Sequence, residues 1–276
     1  YDYRDYEETD SPNLMPVKML HSMPLLETPS DSWYVSLDNT GSRVSDMAIG
    51  RFPARTAAEA SVLVAKTLAY EAADPGQDWA RTVMLVADDD EERFVAMNET
   101  AAACLPGDWL VDRVYRSNYP SAGACIAAIT NGFNSGALLV NYAGHGAIQI
   151  WANEELMNTN RAACLTNGVR LPMVLTPTCY NGYFIYPKVY DDFGDLVYYE
   201  SLAEELVRNP SGGAIACLSP SGESVPSDQE AFVDAMFQVV GEDGVFCLGP
   251  AVARALQKLH DRIGDSGRTV LESFIL

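Results

Sequence analysis

Apolar residues recur along this chain in two alternating rhythms. Short apolar runs at Arg81 to Ala87, Leu110 to Tyr115, Ala137 to Tyr142, Met173 to Thr178 and Gly213 to Leu218 read as strands. Runs of that length between turn signals suit strands covered on both faces. Between and after them, Phe94 to Leu105, Ala122 to Gly132, Asn153 to Ala163, Ser201 to Arg208, Gln229 to Val240 and Gly249 to His260 read as helices, several closed by Pro and Gly. Upstream, Asp46 to Pro53 reads as a short strand ended by proline. Thr56 then caps a helix carrying Ala60, Leu63, Val64, Thr67, Leu68 and Glu71 at helical spacing, with Glu59 completing a capping box and Asp74-Pro75-Gly76 ending it. Tyr1 to about Ser32 mixes acidic residues, prolines, Tyr and Met without periodicity, and is expected to be an irregular or strand-bearing lead-in.

Strands separated by helices of this length pair in parallel, because a parallel neighbour needs a crossover and a helix supplies it. The expected fold is therefore α/β, a doubly wound, mostly parallel sheet with helices on both faces. Ligands of such sheets bind beyond the carboxyl ends of the strands. The residues to examine follow Val86, Tyr142, Thr178 and Leu218.

Composition narrows the partners. The 276 residues are 48% hydrophobic, enough for a large core, and carry a net charge of −20. Phosphate backbones and anionic lipid surfaces are repelled by such a chain, so neither nucleic acid nor a membrane is expected as partner. No apolar stretch approaches the ~18 residues of a membrane span, and Tyr1 to Asp10 lacks the basic and apolar regions of a signal peptide. The chain is expected to be intracellular or a mature piece of something longer. There are three histidines, His21, His145 and His260, and six cysteines, with no CxxC or HxxxH pair. That excludes a histidine-rich metal site. The run Asp88 to Glu92 closes a strand; it is either a solvated acidic loop or a set of oxygen ligands for calcium, though without the spacing of a known calcium loop.

Two strand ends carry chemistry. Ala137 to Val140 runs into Asn141-Tyr-Ala-Gly-His-Gly146, and Met173 to Thr178 delivers Cys179, then Tyr180-Asn181-Gly182. His145 alone reads equally as a turn residue, and Cys179 alone as a small buried hydrophobe, the reading kept for the other five cysteines. Together, at the same end of neighbouring strands, they suit nucleophilic catalysis. A thiolate attacks a carbonyl, an imidazole moves the proton, and the N–H groups of Gly146 and Cys179 are natural donors to the oxyanion.

Asn141 to Gly146, Leu165-Thr-Asn167, Leu171-Pro172, and Cys179 with Asn181-Gly182 and Phe184 resemble the catalytic core of the gingipain family of cysteine peptidases, in the caspase-like clan. Asp46 to Pro53 and the helix ending at Tyr70-Glu71 resemble that family's join between its subdomains. The likeness runs from about Ser32 to Ser224. It implies a caspase-like catalytic subdomain over 76–276, preceded by the end of an N-terminal subdomain and a connecting helix over 1–75. It implies Cys179 as nucleophile, His145 as acid–base, an oxyanion hole at Gly146 and Cys179, and a third, acidic residue at Asp88, with Asp89 as rival, where the family usually has glutamate.

Catalysis then needs no cofactor. A structural calcium, common in the family, is expected at Asp89, Asp90 and Glu92. The substrate is a protein or peptide, contacted by Glu223, Ser224, Tyr180 and Asn181. The family's arginine-selecting aspartate and tryptophan are missing near Phe94 and Ser224; Glu223, Asp191, Asp192 and Asp195 are the acidic substitutes for holding a basic side chain before the cleaved bond, and a small or apolar side chain there is the alternative. The family also implies a secreted or cell-surface location and further domains of a longer precursor, while the cysteine spacing shows no disulfide framework and mostly free thiols are expected. Two other readings stay open: a catalytically silent surface scaffold, and a sortase-like transpeptidase or acyl transferase.

Overall fold

A computed structural model describes residues 15–20, 28–37, 44–185, 189–190, 196–197 and 200–275. Six strands form its central sheet: β1 (Thr82–Ala87), β2 (Leu110–Tyr115), β3 (Leu139–Ala143), β4 (Met173–Leu175), β5 (Ala216–Pro220) and β6 (Phe274–Ile275). Their spatial order is β2-β1-β3-β4-β5-β6. The first five are parallel, with Val83 aligned to Val111 and Leu139, and Met173 to Leu139 and Ala216. The sequence did not announce β6, which pairs antiparallel with β5 through only Ser219↔Ile275 and Pro220↔Phe274. Two residues are too few to show a period.

The helices are α1 (Ala57–Glu71), α2 (Glu92–Ala103), α3 (Ala122–Ser135), α4 (Thr159–Ala163), α5 (Leu202–Arg208), α6 (Pro226–Phe237), α7 (Leu248–Ile263) and α8 (Arg268–Ser273). Successive strand side chains point to opposite faces, and here both faces are covered. Val83, Leu85, Leu139, Leu175 and Leu218 pack with Phe94 of α2, Phe232 and Met236 of α6, Leu259 of α7 and Val270 of α8. Met84, Val86, Val140, Tyr142 and Val174 face Ile129 and Phe133 of α3, Ala162 of α4 and Leu206 of α5. Phe133 and Phe232 are wholly buried. Truncating either to Ala costs ~3–5 kcal/mol through lost transfer energy and the cavity left behind.

Three local expectations fail for physical reasons. Asn153 to Ala163 is helical only in α4. Before it, Gly146–Ala147, Ile150–Trp151 and Met157–Asn158 form a small antiparallel sheet. Trp151 stacks on Tyr142 at 4.4 Å and an interplanar angle of 6°, which draws the chain onto the sheet. Ala152 and Glu155 take φ of 56° and 54° to make the turn, and a helix does not pass through such positions. Asp46 to Pro53 bends at Asp46 and Met47 and, among the described residues, pairs with no strand. Side chains hold it instead: Asp46 accepts the Leu37 N–H at 2.6 Å, and Arg51 makes two hydrogen bonds to Asp31. In α1, Thr56 caps the Glu59 N–H as expected, but the Glu59 carboxylate returns to the Arg55 N–H, one residue upstream of the box position.

The apolar stripe assigned to α1 is not a core face. Leu63 is buried, while Val64 and Leu68 are exposed. The helix is fastened by Lys66, whose ammonium donates to the Val207, Asn209 and Gly212 carbonyls at 2.6, 2.9 and 2.8 Å. α5 begins with a full capping box, Ser201 with Glu204. A ladder of Lys18–Leu20 with Thr28–Ser30 lies outside the sheet and is tied to it by Ser221 Oγ donating to the Pro29 carbonyl.

Candidate active site

β2 and β3 flank β1 on opposite sides, so the winding reverses between β1 and β3, where doubly wound sheets leave a crevice. Asp88 follows β1, His145 follows β3, and Cys179 lies four residues beyond the end of β4. Three hydrogen-bonded neighbours thus deliver them to one end of the sheet.

His145 sits between two glycines that the packing requires. A Cβ on Gly144 would collide with the Tyr142 hydroxyl and Asp88, and one on Gly146 with the Thr178 hydroxyl. The second contact presses the histidine turn against the residue before Cys179. Tyr142, wholly buried, donates its hydroxyl to the His145 carbonyl at 2.5 Å. The imidazole is exposed and edge-on to Phe94, with ring centroids 5.4 Å apart.

Its carboxylate partner is Glu91, with Oε1 at 3.2 Å from Nε2. The expectation that Asp88 orients the ring needs correction. Asp88 is fully buried, and its carboxylate accepts the backbone N–H groups of Asp89 at 2.8 Å and His145 at 3.3 Å, so it shapes the turn instead. Glu91 stands three residues further on, at the mouth of α2, with the longer side chain that reaching the ring requires. Arg93 holds it at 2.7 Å. Asp89, the rival candidate, faces Arg116 at 3.8 Å.

Cys179 is half-buried, and its Sγ lies 3.8 Å from the Ser224 carbonyl. Burial raises the thiol pKa, hydrogen bonding from the Ser224 backbone and side chain lowers it, and the Glu223 carboxylate raises it further; the net direction is up. Tyr180 follows with φ of +61°, a left-handed conformation costly for a bulky side chain, and its N–H is bonded to the Gly222 carbonyl at 3.0 Å. Glu223 is exposed beside Cys179 and Tyr180.

Two expected substrate contacts are structural. Asn181 is buried and donates to the Ala147 and Ile150 carbonyls, tying the Cys179 loop to the histidine hairpin. Ser224 is buried with its hydroxyl on the Thr178 carbonyl at 2.8 Å. Gln229, which sequence reading placed only in a helix, donates from α6 to the same carbonyl at 2.9 Å. Its signal was a glutamine on the apolar face of Phe232, Val233 and Met236. His21, Asp191, Asp192 and Asp195 lie outside the described residues, and His260 is on α7. All six cysteines are free.

For a cation the ligand set shifts. Carboxylate oxygens of Asp88, Asp89 and Asp90 lie within 4.8 Å of one another, whereas Glu92 opens α2 outside this group. Burial raises the Asp88 pKa, and the charges of Asp90 and Glu154 add to the rise. Among the described residues, Glu154 Oε2 is itself buried without a hydrogen-bond partner. An all-oxygen, mutually repelling set of this kind fits a hard divalent ion. Among the described residues, no helix is long and apolar enough to cross a membrane.

The crystal structure of the Arg-specific cysteine proteinase gingipain R matches with a TM-score of 0.78 at 19% identity, over 95% of this chain and 59% of that one. A complex of the Porphyromonas gingivalis RgpB pro- and mature domains matches with a TM-score of 0.68 at 18% identity, over 90% and 58%. The fold is therefore caspase-like, as expected. Gingipain R2 of Porphyromonas gingivalis is 26% identical over 150 residues, 51% of this chain and 20% of that protein. Gingipain R1 of the same organism is 26% identical over 150 residues, 51% and 15%. The chain thus spans a fifth or less of the length of these curated relatives. The sequence model of peptidase family C25 matches residues 1–276, and the chain belongs to that family.

Proposed function

We propose that this protein is a cysteine endopeptidase in which Cys179 attacks the peptide carbonyl and His145 moves the protons. The observation that carries the reading is the packing of Gly146 on Thr178, which brings the histidine turn onto the residue preceding the nucleophile. Because its surroundings raise the Cys179 pKa and so disfavour the thiolate, a base must take the thiol proton as the C–S bond forms. His145 accepts that proton, and Glu91 stabilises the resulting imidazolium. The carbonyl oxygen takes the negative charge and is met by the N–H groups of Gly146 and Cys179. Gly146 faces Trp151 where the hairpin's hydrogen bond runs from Ala152 N–H to the His145 carbonyl, which leaves the Gly146 amide out of the ladder. His145 then protonates the leaving amine, and the thioester is hydrolysed by water that gives its proton to the same ring.

Glu223 supports selection of Arg or Lys before the scissile bond, since an exposed carboxylate beside the nucleophile attracts a cationic side chain. Gingipain R is named as Arg-specific, which favours the same choice. The reading includes a structural calcium held by Asp88, Asp89 and Asp90 with Glu154 nearby, and an exported protein acting on protein substrates.

A peptide chloromethyl ketone ending in arginine is the direct probe. It should inactivate the protein and leave its label on Cys179 alone. Labelling spread over the six cysteines, or none, sinks the assignment of nucleophile.

A further inference from the structure

The planar Thr178–Cys179 peptide unit has its carbonyl on one side and the Cys179 N–H on the other, because a trans amide fixes the two antiparallel. Three side-chain hydrogen bonds converge on the carbonyl side. Gln229 Nε2 donates to the Thr178 carbonyl at 2.9 Å, Ser224 Oγ donates to it at 2.8 Å, and Gln229 Nε2 also donates to Ser224 Oγ at 2.6 Å. Gln229 and Ser224 are both buried, at 4% and 5% exposure. The flanking amides have acceptors: Thr178 N–H bonds the Thr176 carbonyl at 2.8 Å, and Tyr180 N–H bonds the Gly222 carbonyl at 3.0 Å. Among the described residues the Cys179 N–H donates to no backbone acceptor.

From this we infer that Gln229 is a positioning residue for the oxyanion hole. By clamping the Thr178 carbonyl it turns the Cys179 N–H away from α6 and toward the reacting carbonyl, and by polarising the amide it strengthens that N–H as a donor. The clamp acts on the donor and not on the sulfur, whose own contact is with the Ser224 carbonyl. A donor fixed in advance costs no reorganisation when charge develops on the substrate oxygen. The inference rests on the proposed nucleophile and oxyanion hole.

The test separates reactions that develop an oxyanion from one that does not. Alkylation of Cys179 by iodoacetamide displaces iodide from carbon and places no charge on a carbonyl oxygen. A peptide aldehyde adds the Cys179 sulfur to its carbonyl carbon, and the oxygen carries the charge before it is protonated. Gln229→Met keeps the length of the side chain and removes both donated bonds. It should lower kcat for a peptide substrate roughly 10- to 100-fold with KM within about twofold, and weaken aldehyde binding by a similar factor. The iodoacetamide rate should stay within about twofold. Ser224→Ala, which leaves one bond on the Thr178 carbonyl, should show the same pattern at a smaller amplitude, and serves if Gln229→Met folds poorly. Unchanged kcat and aldehyde affinity in both variants, or an alkylation rate that falls in parallel with kcat, overturns the clamp. If the wild-type protein binds no peptide aldehyde, the peptidase reading itself fails and the inference with it.

Discussion

Cys179 is half-buried in surroundings that raise its pKa, and Glu223 is the separable cause. A negative charge nearby disfavours the thiolate. Glu223→Gln should therefore lower the Cys179 pKa and move the rise of iodoacetamide alkylation to lower pH, while reducing cleavage after Arg or Lys. An unmoved profile means that burial alone raises the thiol. Glu91→Gln should lower kcat/KM by roughly fivefold, the scale of a part-exposed ion pair, with the loss in kcat. No loss would return the orienting role to another group. The Cys and His were legible because each ends an apolar run, one between glycines. The acidic partner was not, since five consecutive carboxylates read alike until the buried Asp88 is seen holding backbone N–H groups and Glu91 reaching the ring.

At the level of elements, the site depends on ties between segments that carry no strong local signal. Asn181 links the Cys179 loop to the histidine hairpin through two backbone carbonyls. Lys66 closes the carboxyl end of α5 through three carbonyls, and burial pulls its pKa down to about 8. Those three bonds favour the charged amine and oppose the shift. Lys66→Met should cost about 1–3 kcal/mol in urea unfolding, the penalty of leaving buried carbonyls unpaired. A change below about 0.5 kcal/mol would show that water replaces the ammonium there. The five parallel strands were legible from their apolar runs, since sheets covered on both faces need continuous apolar sequence. The hairpin at Gly146–Trp151 was not, because its place is set by Trp151 stacking on Tyr142, a tertiary contact. Nor was the exposure of Val64 and Leu68, whose helical spacing matches that of a core stripe.

For the whole molecule, the net charge of −20 concentrates repulsion where Asp88, Asp89 and Asp90 converge. A cation bound there by the folded chain stabilises it by mass action. Removing calcium with a chelator should lower Tm, and adding it back should restore Tm with a dependence on concentration. A Tm unaffected by either treatment contradicts the calcium proposal. The caspase-like sheet and the C25 family model place the chain among peptidases by fold and sequence. The proposed activity rests on the strand-end residues Cys179 and His145. The most direct measurement is the cleavage of a mixed peptide library, with products sequenced by mass spectrometry, by the wild-type protein and by Cys179→Ala. The account predicts cuts after Arg or Lys by the wild type and none by the variant. Cleavage surviving in the variant, or a correctly folded wild type that cuts no peptide, would contradict it.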